Sequence, residues 1–283
     1  MDRVPRVLLC APGWRVVYAD EQSAHDGKVS VANAEQPGSP RGGPGLRAGS
    51  DAEIRWRPGD LSSSTSDGGA PARQSTVTAV LGVVGHVYDN VSSQHGRQTA
   101  VALWGLDGHI FEFRAVVTDV DSFGLLLSSL QRVGESEWLS ALPADVVRPS
   151  DHGAAVSAML LGVPLPPGFE PGAIRTVGLV KDRYQFGAMV AGTVACTWFK
   201  HWSEARRHAD AVGASSAIDA MSTAKDWPIL KEMAESGAYP WVIEQLAEAM
   251  PSGQRYGRPL EDDVNSGLGC AALGVALSSH APA

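Results

Sequence analysis

The rhythm of apolar and polar positions changes along the chain. Val77-Thr78-Ala79-Val80-Leu81-Gly82-Val83-Val84 is apolar and β-branched, and His86-Val87-Tyr88 continues it as one strand. After the polar turn from Asp89-Asn90 to Gly96-Arg97, Thr99 to Leu103 reads as a second strand. Ile110 to Val117 reads as a third, entered through Asp107-Gly108, a dipeptide that favours a tight hairpin. Together these predict a small antiparallel β-meander over 77–117.

Helical spacing takes over from Thr118. Thr118 fits an N-cap with Asp121 reaching back to it, and Phe123, Leu126, Leu127 and Leu130 make the apolar face. Trp138, Leu139 and Leu142 belong to a second short helix ending at Pro143, and 151–161 to a third. Pro164 to Gly168 is a rigid, polyproline-like connector. From Tyr184 to Val212 the chain predicts one long helix. Phe186, Val190, Val194, Trp198 and Trp202 recur every four residues, while Met189, Cys196 and Phe199 cover another face. Apolar residues on nearly all sides mean burial. Gly187, Ala191 and Ala195 form a small-residue stripe that admits a neighbouring backbone, and Lys200 to Asp210 return to the surface. Shorter helices follow over Ser216 to Lys225, after the cap Asp226, from Pro240 to Pro251, and over Leu260 to Ser266. The fold class expected is α+β, a small meander followed by a mostly helical domain around one buried helix. That domain spans 77–270, with helices over 119–250 and a flexible tail at 271–283.

Composition alters this picture at the N-terminus. Residues 20–76 are rich in Gly, Pro, Ser, Ala and Arg, most densely at 36–45 and 61–70. Such a segment buries too little apolar surface to offset chain entropy. Residues 1–76 are therefore expected to be disordered, or to be upstream GC-rich DNA translated from a misplaced start codon. Val7-Leu8-Leu9-Cys10 is too short for the apolar core of a secretory signal. Tyr184 to Phe199 is charge-free but shorter than a membrane span, so the chain reads as soluble.

Charge narrows the partners. Residues 1–76 carry 9 Lys+Arg and 9 Asp+Glu, so the net charge of −8 lies wholly in 77–283. No basic footprint for a phosphate backbone is present, and no nucleic-acid partner is expected. Three cysteines are too few for a disulfide scaffold or a cysteine zinc site. At most one pair forms; Cys196 and Cys270 are its candidates, since Cys10 falls in the segment read as unfolded. In a cytosolic chain the two would instead be reduced, small hydrophobes.

No chemical motif survives comparison with a structural reading. Ser222-Thr223-Ala224-Lys225 matches S-x-x-K, but Ser222 falls late in its helix and the partner motifs are missing. Gly267 to Ala272 fits a loose dinucleotide pattern without the strand that must precede it. Asp119 to Gly124 opens like a calcium loop, but Phe123 and Leu130 occupy ligand positions. His201 and His208 share a helical face without further ligands, and His86, His95 and His109 lie in the strand region with no metal spacing. Glu261-Asp262-Asp263 reads as a solvated charge run, and Asn90-Val91-Ser92 as a common glycosylation pattern. Trp198, Trp202, Trp227 and Trp241 read as packing together in a core. No catalytic, cofactor-binding or metal-ligating residue is assigned.

Leu142 to Pro149, Val163 to Phe169, Asp182 to Gly187, Val194 to Trp198, Asp226-Trp227-Pro228 and Gly269-Cys270 together resemble an uncharacterised family of envelope-associated proteins from GC-rich bacteria. The likeness covers about 85–270. It implies an outward-facing domain held by an N-terminal anchor in a longer form, and no activity. Extracytoplasmic placement in turn implies a Cys196–Cys270 bridge, worth about 3–4 kcal/mol in the chain-entropy picture. The function expected is a non-catalytic binding or interaction domain with a protein partner or membrane anchor. The alternative is a hydrolase-like enzyme whose site is assembled from distant residues such as His109, Asp119, His201 and Glu204.

Overall fold

The chain opens with β1 (Arg6–Leu9), β2 (Trp14–Ser23), β3 (Asp26–Asn33) and β4 (Ala52–Pro58), and continues with β5 (Thr76–Val80), β6 (Val83–Gln94), β7 (Arg97–Leu106) and β8 (His109–Val117). The computed structural model describes residues 4–34, 46, 47, 49–61, 76–94, 97–174, 178–275 and 277. Two units result: Met1–Arg148 with Leu179–Asp182, and Pro149–Gly178 with Arg183–Ala283.

In the first unit β2 to β8 make one antiparallel sheet in the order β2-β3-β4-β8-β7-β6-β5. The chain runs inward from one edge to β4, crosses to the other edge, and returns by hairpins to β8. Helix α1 (Val120–Ser128), strand β9 (Leu130–Val133), which pairs with β1, and α2 (Glu135–Ala141) complete the unit. Side chains alternate across a strand, so one sheet face takes Ala52, Ile54 and Trp56 from β4 with Phe111 and Phe113 from β8. Phe123 of α1 stacks on Phe113 with ring centres 5.6 Å apart, and Trp138 of α2 meets Trp56 edge-on at 6.2 Å. These rings close the core of the unit.

The α+β class holds, but the sheet is larger than the small meander expected. Residues 4–34 and 49–61 supply β1 to β4, which contradicts the expectation of a structureless 1–76. Ala52-Glu53-Ile54-Arg55-Trp56-Arg57 alternates strictly, and its apolar half is buried while Arg55 and Arg57 are exposed. The rich Gly/Pro/Ser stretches at 36–45 and 62–70 lie outside the described residues, as do 278–283 of the expected tail and His95. The expected first strand is two strands. Leu81 and Gly82 both take positive φ, 52° and 80°, and turn the chain back on itself. Asp107 and Gly108, at 48° and 75°, make the hairpin their sequence predicts. The cap of α1 is Asp119 rather than Thr118: its carboxylate accepts from the Ser122 backbone N–H at 2.7 Å. Leu130 leaves that helix for β9.

The second unit is helical. It holds α3 (His152–Met159), α4 (Arg183–Arg207), α5 (Ala211–Ser222), α6 (Pro228–Ala234), α7 (Tyr239–Ala249), a two-residue hairpin pair β10 (Gln254–Arg255) and β11 (Arg258–Pro259), and α8 (Leu260–Leu268). The long helix ends at Arg207, before the expected Val212, because Ala209 turns to φ 54° and Asp210 caps α5 through the Gly213 N–H. Burial is not confined to α4: Trp227, Leu230, Met233, Ile243 and Leu246 are as enclosed as Phe186 and Trp202. Small residues seat the neighbours of α4. A side chain at Gly187 would strike Met233 and Ile229 of α6, and one at Gly192 would strike the Tyr239 hydroxyl. Trp198 donates its indole N–H to the Pro164 carbonyl at 2.9 Å, which fixes the proline connector. Trp241, expected in the core, is exposed on α7. Trp227, not Asp226, is the cap residue of α6, and Asp226 pairs with Lys231 at 3.0 Å.

Cys196 of α4 and Cys270, just beyond α8, form a disulfide with Cα atoms 5.6 Å apart. No helix among the described residues is long and apolar enough to cross a membrane.

Candidate functional site: the charged face of the sheet

The face of the sheet opposite the aromatic core carries charge in register. Asp20, Lys28, Arg55 and Glu112 stand opposite one another across β2, β3, β4 and β8, with Leu103 of β7 next. One step along the strands, Tyr18, Ser30, Glu53 and Arg114 form a second row. Both rows arise from the same period-two alternation that sends Ile54 and Trp56 to the core.

Most of these groups are held by one another. Glu53 is 1% exposed and accepts the Ser30 hydroxyl at 3.2 Å and the Arg55 guanidinium, with Lys28 Nζ at 3.9 Å. Arg114 donates to Glu112 at 3.0 Å. The Tyr18 ring lies under two cations, the Arg47 guanidinium at 4.0 Å and Lys28 Nζ at 5.3 Å. Burial pushes the Tyr18 phenol well above its ordinary value, and the Asp20 and Asp182 carboxylates push further in the same direction. Asp20 is raised as well, because burial outweighs Lys181, 3.6 Å away, and the Asp182 N–H.

An open-sided cleft of about 290 Å³ sits on this face. Lys28, Arg55 and Arg57 reach its walls together with Asp26, Gln22 and Glu112, over a floor of Leu103 and Ile110. A three-to-two balance of cations over carboxylates in a cleft of this size can fix an anionic or zwitterionic group by charge-assisted hydrogen bonds. Asp26 and Arg57 are placed there by the β2–β3 turn and by the last turn of the β4 alternation.

A second cleft, of about 310 Å³, lies in the helical unit beside Ser203, Arg206, Arg207 and Glu261. Ser203 donates to Glu261 at 3.0 Å, and both are buried. Gly253, at φ 68°, lets the Arg206 guanidinium approach, and that guanidinium also covers the Trp202 ring at 4.8 Å. Two residues of the run Glu261-Asp262-Asp263, read as solvated, are therefore internal: Glu261 is buried against Ser203, and Asp263 is buried and pairs with Arg258 at 2.7 Å. Its place in the first turn of α8 also suits acidic residues, which favour the positive end of a helix.

The structure joins Cys196 to Cys270, and the residues offered for an assembled enzyme are divided between the sheet unit and the helical unit. His109 and Asp119 stand at opposite ends of β8, about 30 Å of strand apart. His201 and Glu204 belong to the helical unit, and His208 is exposed with its Nδ1 on the Glu204 carbonyl at 2.8 Å. Ser222 closes α5 and spends its hydroxyl on the Asp219 carbonyl. Gly269 is a left-handed helix stop at φ 67°, which explains its glycine without a nucleotide. Asn90 to Ser92 lie within β6, their side chains outside the described residues. No group of three or more His, Cys, Asp or Glu among the described residues is placed to hold a metal ion. The sequence reading missed the whole sheet-face cleft, although Glu53, Arg55 and Arg57 were legible as one face of an alternating strand. Comparison with family models, with curated proteins and with solved structures yields no match.

Proposed function

We propose that this chain is a non-catalytic binding domain of the extracytoplasmic side of the cell envelope, and that the cleft on the charged sheet face is where it takes a small anionic or zwitterionic ligand. The observation that carries the binding reading is the convergence of Lys28, Arg55 and Arg57 on one cleft wall system with Asp26 and Glu112. Glu112, which lines the cleft, is tied to Arg114 along its own strand, and Arg55 is tied to Glu53 along its own. That arrangement holds charge in fixed positions, which serves recognition better than proton transfer. The compartment reading rests on the Cys196–Cys270 bridge, since such bonds persist where the surroundings are oxidising, and on the likeness to envelope-associated chains.

Nitrogen-edited NMR of the full chain, titrated with a set of small dicarboxylates, phosphate esters and amino acids, tests the binding reading. At least one class is expected to shift amides of β3, β4 and β8, with the effect lost in Arg55→Glu/Arg57→Glu protein. Shifts confined to the helical unit, or none, overturn it. Thiol counting on protein drawn from its native host tests the compartment. Under denaturing conditions one titratable thiol, Cys10, is expected before reduction and three after; three before reduction would sink the envelope reading.

The second reading, a hydrolase-like enzyme, is favoured by one feature, the buried Ser203–Glu261 pair beside two arginines. Covalent labelling of Ser203 by a fluorophosphonate would support it. Absence of labelling, with intact folding, would leave that cleft structural.

A further inference from the structure

His25 and His109 are 84 residues apart, yet their rings meet at the turn end of the sheet. His25 sits in the β2–β3 turn and His109 opens β8, immediately after the Asp107-Gly108 hairpin. Nδ1 of His25 and Nε2 of His109 face each other at 3.2 Å, with ring centres 5.4 Å apart. His109 is buried and His25 half-buried.

The far nitrogen of His109 settles its tautomer. Nδ1 lies 2.9 Å from the Asp107 carbonyl, which only accepts, so Nδ1 carries the proton and Nε2 keeps its lone pair toward His25. The same hydrogen bond is the support that orients a metal-binding imidazole. Asp107 is itself held, its carboxylate pairing with Arg132 at 2.8 Å. Without a cation, the gap is bridged by the Nδ1 proton of His25, at the long end of the hydrogen-bond range. A tetrahedral centre with metal–nitrogen bonds of about 2.0–2.1 Å separates two nitrogen ligands by about 3.3 Å, close to the 3.2 Å observed.

We propose that His25 and His109 form a two-imidazole site for a borderline divalent cation such as Zn²⁺, with water filling the remaining positions. Imidazole pairs suit zinc and its neighbours and not the oxygen-seeking Mg²⁺ or Ca²⁺. On binding, the lone pair of His109 Nε2 is used as it stands, and His25 moves its proton from Nδ1 to Nε2, so both bonds form without net proton release from the two neutral rings. The two imidazoles leave the remaining positions to water, and His25 is the less buried of the two rings.

Zn²⁺ alone, added to the full chain during long-range ¹H–¹⁵N NMR of the imidazoles, tests the proposal. One equivalent is expected to move the His25 Nδ1 and His109 Nε2 resonances together, to raise the melting temperature, and to be competed off by a chelator. Mg²⁺ is expected to do none of these. His25→Ala, which removes the less buried of the two rings from the β2–β3 turn, is expected to lose the stoichiometric event while keeping the cooperative melt. His109→Ala is expected to do the same, and if loss of its buried ring unfolds the sheet, His25→Ala alone decides. The proposal is overturned if wild type takes up no stoichiometric Zn²⁺. It is equally overturned if His25→Ala binds as tightly, or if the resonances that move belong to His86, His152, His201 or His208.

Discussion

Glu21 is 2% exposed and both of its oxygens are engaged. Oε1 takes the Arg6 guanidinium at 2.6 Å, and Oε2 accepts the Val180 N–H at 2.7 Å. Arg6 in turn lies over the Trp138 ring at 4.2 Å, so one residue of β1 serves a buried charge and an aromatic face together. Removing one partner of a buried pair costs about 3–5 kcal/mol. Arg6→Ala is expected near the lower end, because Arg6 keeps some water contact, with the loss read as a fall in urea midpoint. Asp20 carries the opposite sign. Its raised native value means that, once pH passes the ordinary aspartate value of about 4, the folded chain still holds a proton the unfolded chain has released. Stability contributed at Asp20 therefore falls as pH rises through that window and stops changing above the native value. Paired urea melts of wild type and Asp20→Asn are expected to diverge on that rise, with wild type losing ground; parallel curves would refute the assignment.

At the scale of elements, β4 decides whether the sheet exists as one body. It lies between β3 and β8, and without it β8 would present an open row of backbone donors and acceptors. A chain begun at Thr76, the boundary that composition recommends, is expected to lose the cooperative melt of the sheet and to aggregate on size-exclusion chromatography. A soluble, cooperative product would show that β5 to β8 fold alone. Composition misplaces that boundary because the Gly/Pro/Ser stretches dominate any average over 20–76. The local alternation of Ala52 to Arg57 was legible and outweighed. Asp107-Gly108 announced its turn because both residues tolerate positive φ. Leu81-Gly82 did not, because a leucine at φ 52° is unfavourable by about 1–2 kcal/mol on its own. Leu81 packs against the sheet core, which offsets that cost and is invisible in a dipeptide. The His25–His109 pair was illegible for a further reason: no spacing rule links two turns that only the finished sheet brings together.

On the whole-molecule scale, the two units differ in how they are secured. The sheet unit relies on aromatic packing and interleaved charge, whereas the helical unit has a covalent tie as well. Replacing Cys270 with Ser is expected to destabilise the helical unit by about 3–4 kcal/mol, read as a lower melting temperature that reduction of wild type reproduces. Cys10 stays outside this chemistry: burial and Glu137 hold its thiol above the ordinary value, so it is a slow nucleophile near neutral pH.

That tie also hides length. The bridge spans a separation of 74 residues, from the middle of α4 to the end of α8. A chain pulled from residues 149 and 275 would transmit tension across the sulfur bond and leave everything between Cys196 and Cys270 slack. Reduction would release about 250 Å of additional contour at the usual rise per extended residue. In an optical trap, the same molecule is expected to give a short unfolding step when oxidised and one longer by that increment when reduced.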